Sequence, residues 1–110
     1  MKTTDSASGD SCVTADSREL AARLAALSHP TRIEILKLLS ASPCCCCGEV
    51  VKRLDLAQST VSQHLKILVE AGFVRYAADR QRSRYEVDGQ SLASVSAALA
   101  DLVRSCRTRG

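Results

Sequence analysis

Residues 56–74, LAQSTVSQHLKILVEAGFV, decide how this chain is read. Val61, Leu65 and Leu68 recur at i, i+4 and i+7, the spacing of one helix face, and are expected to point into a core. The opposite face carries Ser59, Gln63, Lys66 and Glu70, with Ser62 alongside. Ser59 or Thr60 can cap the start of this helix, and Gly72 can end it in the left-handed conformation that glycine adopts without penalty. Upstream, GEVVKRLD (48–55) reads as a short helix that buries Val50, Val51 and Leu54. Downstream, FVRYAAD (73–79) and SRYEVD (83–88) read as two short strands around an Arg-rich turn.

Two short helices joined by DLAQ (55–58) and followed by a hairpin make a winged helix-turn-helix. In that arrangement the second helix, here 59–71, lies in the DNA major groove. The flanks agree with it. Asp16 and Glu19 have capping-box spacing and start a helix with Leu20, Leu24 and Leu27 on one face. Pro30 suits the first turn of a second helix, PTRIEILKLLSAS, whose stripe is Ile33, Leu36 and Leu39. Asp88 can cap a last helix from about Gln90 to Cys106, with Leu92, Val95, Leu99, Leu102, Val103 and Cys106 in line. The expected fold is mainly α with a small β-hairpin: residues 1–15 a polar, disordered tail, residues 16–107 one winged helix-turn-helix domain for DNA binding and dimerisation.

Composition agrees. The chain has 110 residues, no Trp and one Phe, so its core must be built from Leu, Val, Ile and Ala. A core that small favours dimerisation to cover the remaining apolar surface. The formal net charge is only +3, but residues 75–84, RYAADRQRSR, hold four Arg against one Asp. Local cationic charge of this kind serves nucleic-acid contact. The N-terminal MKTTDSASGDSC has no apolar run, and no stretch is long and apolar enough to span a bilayer, so a soluble cytoplasmic protein is expected.

On the helix 59–71, the hydroxyls and amide of Ser59, Thr60, Ser62 and Gln63 suit base edges, Gln pairing with adenine at two points. Lys66 suits a phosphate, as do Arg80, Arg82 and Arg84 on the hairpin. Polar residues on a helix face are otherwise merely solvated. Here the face is rich in hydroxyl and amide groups and a basic hairpin follows it, which favours double-stranded DNA as the partner. His64 lies nearer the core side and reads as a packing residue.

The stretch SASPCCCCGEVV (40–51) holds four of the six cysteines, Cys44, Cys45, Cys46 and Cys47. In a reducing cytosol such a set points to metal binding or redox chemistry rather than structural disulfides. Neighbouring side chains on a regular helix diverge by about 100°, so four in a row cannot converge there. Pro43 and Gly48 permit a bend that brings two or three together. The alternative, small cysteines packed as hydrophobes, is a poor account of four in a row. A thiol oxidoreductase lacks support, because the chain has no Cys-x-x-Cys in a β-α-β setting. A structural zinc module is the third possibility, and it would unfold on chelation.

Taken together, LAALSHPTRIEILKLL (24–39), LAQSTVSQHLKILVEAGFV, RYEV (84–87) and the order of elements resemble the ArsR/SmtB family of bacterial metal-sensing repressors, over roughly residues 18–106. The resemblance implies a homodimer that binds its operator without any cofactor and releases it when As(III) or Sb(III) binds. It implies a three-thiolate inducer site near the helix preceding the recognition helix: Cys45, Cys46 and Cys47, with Cys44 as substitute. Two other switches follow from relatives of other kinds. One is a persulfide- or redox-responsive Cys45–Cys106 pair; the other is a Cd/Pb site that adds Cys12 to the run. Zinc or nickel sensing through the last helix does not fit, since neither His29 nor His64 lies there.

Overall fold

The computed structural model describes residues 13–41, 47–79 and 82–107. In chain order these form α1 (Ala15–Leu27), α2 (Pro30–Ala41), α3 (Cys47–Leu54), α4 (Gln58–Glu70), β1 (Val74–Asp79), β2 (Arg82–Val87) and α5 (Gly89–Arg107). The strands pair antiparallel, from Val74 opposite Val87 at the base to Asp79 opposite Arg82 at the far end. This is the winged helix-turn-helix that the sequence predicts. No helix among the described residues is long and apolar enough to cross a membrane.

The core sits where α2 meets α1, α4 and the hairpin. Val61, Leu65 and Leu68 are fully buried, so the periodicity of α4 reports its packing correctly. They meet Ile35 and Leu39 of α2, Val50 of α3 and Phe73 in one cluster. In α2 the expected stripe is off by part of a turn: Ile33 is 43% exposed and Ile35 is fully buried. With apolar residues at 33, 35, 36, 38 and 39, the pattern fixes a broad face, and packing against α4 chooses its centre.

Helix ends differ from expectation in instructive ways. The cap of α1 is Thr14, whose Oγ1 accepts from the Ser17 N–H at 3.1 Å; Asp16 lies inside the first turn. Neither Ser59 nor Thr60 caps α4, which starts one residue earlier with Ala57 at the cap position. The glycine end is as read. Gly72 has φ +89°, its N–H donates to the Val69 carbonyl, and the Phe73 N–H donates to the Leu68 carbonyl. These two bonds form a Schellman motif, and they drive fully buried Phe73 back against the helix it follows. Asp88 caps α5 through Oδ1, which accepts from the N–H groups of Gln90 and Ser91 at 3.1 and 3.3 Å.

Only Val95 of the α5 stripe is buried. Leu102 and Val103 are 49% and 50% exposed and Leu99 is also exposed, so a row of apolar side chains along the second half of α5 lacks cover in the single chain.

Candidate nucleic-acid interface and thiol site

The turn between α3 and α4 is tight. The Asp55 N–H closes α3 on the Val51 carbonyl, and Asp55 itself takes φ 54°, a conformation Asp tolerates better than most residues. Three residues on, α4 starts with its buried face fixed by Val61, Leu65 and Leu68. That fixes the outer face too: Ser59, Ser62, Gln63 and Lys66 are exposed, and Thr60 is half-buried. Because Ala57 offers no side-chain acceptor, the first-turn N–H groups of α4 lack a side-chain cap. Such groups are the ones that meet a phosphate at a helix start.

Of the wing arginines, Arg84 is half-buried opposite Ala77, and Arg82 opens β2 opposite Asp79. Arg80 lies outside the described residues. Arg75 is engaged at the base of the wing, 3.5 Å from Glu86 and 3.7 Å from Asp88. The hairpin base is therefore tied by charge as well as by the Asp88 N–H donating to the Phe73 carbonyl at 2.8 Å.

A second set of contacts positions α4 from behind, and the sequence reading did not foresee its centre, Arg32. The Arg32 guanidinium donates to the Ala25 and Ala26 carbonyls at 3.3 and 3.0 Å, and its Nε–H donates to Nδ1 of His64 at 3.2 Å. A residue in the first turn of α2 thus joins the end of α1 to the middle of α4. Since α1 has no basic residue in its last turn, Arg32 also supplies the cation that a helix C-terminus favours. His29 completes the group. Its Nδ1 accepts from the Thr31 N–H at 3.1 Å, and its ring lies 4.4 Å from that of His64. The pKa of His64 is held below its ordinary 6.5, first by burial and then by the positive charge of His29 and Arg32. The packing role read for His64 agrees with this setting. The one sequence clue to Arg32 is a cation in the first helical turn, where the helix's own dipole disfavours it.

Among the six cysteines, Cys12, Cys44, Cys45 and Cys46 lie outside the described residues. Cys47 opens α3, half-buried and free. Its Sγ lies 3.7 Å from Oγ of Ser62 on α4. Tyr85 of the wing has its pKa raised above 10, by burial first, then by its neighbours Cys47 and Tyr76. Cys106, on the last turn of α5, is free and exposed rather than buried. Among the described residues no three His, Cys, Asp or Glu side chains converge on one point.

The model of the family described as "Bacterial regulatory protein, arsR family" matches residues 29–76, from the His29 cap through α4 into the wing. The HTH-type transcriptional regulator YgaV of Escherichia coli is 34% identical over 88 residues, covering 80% of this chain and 89% of that protein. The chain belongs to the arsR family. Another similar member is the arsenical resistance operon repressor of Staphylococcus xylosus, 33% identical over 75 residues, or 68% of this chain and 71% of that one. Among solved structures, an ArsR-like transcriptional regulator from Rhodococcus sp. RHA1 superposes with a TM-score of 0.79 at 27% identity, over 87% of this chain and 90% of the other. An arsR-family chain with an intact helix-turn-helix is a DNA-binding transcriptional regulator and not an enzyme.

Proposed function

We propose that this regulator is a homodimeric repressor released from its operator when As(III) or Sb(III) binds the thiolates of Cys45, Cys46 and Cys47, with Cys44 as the substitute ligand. The observation that carries the reading is the place of Cys47. Its accessible thiol stands at the start of α3, against a residue of the exposed face of α4. The similarity to the arsenical resistance operon repressor of Staphylococcus xylosus supports the choice of inducer. So does the softness match between arsenic and thiolate sulfur. Each thiol condenses with arsenous acid, forming an As–S bond while the S–H proton and an As–OH leave as water, so no oxidation state changes.

In this reading residues 16–107 act as one cytoplasmic DNA-binding and dimerisation domain behind a tail of residues 1–15. Ser59, Thr60, Gln63 and Lys66 face double-stranded DNA, Ser62 lies exposed among them, and Arg80, Arg82 and Arg84 contact the backbone beside it. The exposed row Leu99, Leu102 and Val103 is the face a second copy covers. Inducer binding at the start of α3 shifts the dimer toward a geometry whose two α4 helices no longer match successive major grooves. A coupling of about 1–3 kcal/mol weakens DNA binding ~5–150-fold, and operator DNA weakens inducer binding by the same factor.

The test is an operator titration by fluorescence anisotropy, in reductant, with and without As(III), for the wild type and a variant with Cys44 to Cys47 changed to Ser. Release of the wild type but not of the variant is expected. DNA binding that ignores As(III) yet is lost with polysulfide would replace this reading by the Cys45–Cys106 switch. Release by Cd(II) alone, abolished by Cys12→Ser, would replace it by the cadmium/lead site.

A further inference from the structure

Ser62 differs from its neighbours on the outer face of α4. It is exposed in the second turn, as a base reader would be, yet among the described residues it is the α4 side chain that touches a cysteine, with Oγ 3.7 Å from Cys47 Sγ. We propose that Ser62 is a positioning residue that transmits the state of Cys47 to α4, rather than a reader of bases. This rests on the thiol-inducer reading above and adds the route by which the thiol speaks to the DNA-reading helix.

The chemistry of the contact makes it a switch. In the free thiol, either Cys47 S–H or Ser62 O–H can donate across the gap, so the pair holds whichever way the hydroxyl turns. When the Cys47 sulfur bonds to arsenic, its proton leaves with water and its S–H donor is gone. The sulfur must also turn toward the metalloid. The contact then survives only if Ser62 alone donates to a sulfur whose electrons are drawn onto arsenic. Because α3 and α4 pack directly on each other, a change at the first residue of α3 reaches α4 without an intervening element. The wing lies on the same route, because α3 also packs on β2.

The experiment measures three quantities for the wild type, Ser62→Ala and Ser59→Ala: operator affinity without As(III), As(III) binding without DNA (followed by the near-ultraviolet absorbance of As–S bonds), and operator affinity with As(III) bound. The ratio of the two operator affinities is the coupling. Ser62→Ala is expected to bind As(III) as the wild type does, to keep operator affinity within about threefold, and to lose most of a coupling that lies in the ~5–150-fold range. Ser59→Ala, on the same face but without a described cysteine contact, is expected to weaken operator binding while keeping the coupling. An Ser62→Ala protein that loses operator affinity tenfold or more with its coupling intact is a base reader, and overturns the proposal. Unchanged coupling with unchanged affinity overturns it as well. A wild type that fails to bind As(III), or stays on DNA when loaded, removes the thiol-inducer reading itself and this route with it. That failure shows in the wild type alone, before any variant is compared.

Discussion

Replacing Arg32 by Ala removes a side chain that joins α1, α2 and α4. Its guanidinium makes three contacts, but two share a single nitrogen, Nη1, split between the Ala25 and Ala26 carbonyls. They count as one forked bond, and the Nε–H bond to His64 is the second. A hydrogen bond from a charged donor contributes about 1.5–3 kcal/mol, and a neutral one about 1. Part of the group is exposed, and the carbonyls at the end of α1 can be hydrated once the side chain is gone, so the lower figures apply. Two bonds at about 1 kcal/mol each give a loss of about 2 kcal/mol. For a domain of this size each kcal/mol moves Tm by roughly 4–8 °C, so Arg32→Ala is expected to melt about 8–16 °C below the wild type. The assay is urea denaturation followed by far-ultraviolet circular dichroism, at one fixed protein concentration, since any self-association would add to apparent stability. Arg32→Lys should recover less than half the loss, because an ammonium cannot hold the fork and the imidazole at once. A loss below about 0.5 kcal/mol for Arg32→Ala would refute the claim that this residue fixes α4 against α1.

Three other outcomes follow from single contacts. His64 has a lowered pKa in the folded chain, so the unfolded chain takes up that proton first. Its contribution is therefore whole above pH 6.5 and is lost as pH falls from there through the lower folded value. Denaturation at pH 7.5 and 5.5 should show a smaller acid loss for His64→Gln than for the wild type, and equal losses would contradict this. Gly72→Ala places a Cβ in ordinary contact, 3.8 Å from Ser91 Oγ, so its cost is the backbone strain at φ +89°, about 1–2 kcal/mol by urea denaturation. A neutral result would mean that the helix end can unwind from the left-handed form. Asp88→Ala strips the cap from α5 and one partner from Arg75, and should cost about 1 kcal/mol, with faster amide exchange at Gln90 and Ser91 as the local sign.

The sequence made α4 and its surroundings legible because that part is governed by local rules. Apolar spacing at Val61, Leu65 and Leu68, a glycine with positive φ after the helix and the two strand segments are all written between residues 61 and 87. Caps are less legible. Thr14 and Ala57 win because chain direction at the helix entry, set by tertiary packing, decides which residue takes the cap position. Ile33 and Ile35 exchanged places for the same kind of reason: a helix with apolar residues on two adjoining strips is turned by its neighbours. The site divides likewise. Residues on the outer face of α4 follow from its inner face. The Arg32–His64 bond joins residues 32 apart and the Cys47–Ser62 contact residues 15 apart, and no local pattern encodes either.

The closing bond of the hairpin lies at its base, where Phe73, clamped to α4 by the Schellman turn, accepts from Asp88 as α5 begins. The wing is thus anchored where it leaves the core, by residues that serve the core as well. Length and charge at its outer end are then free variables in evolution. A lineage can lengthen the far connection, or add and remove arginines there, without disturbing Phe73, Asp88 or the helices they join.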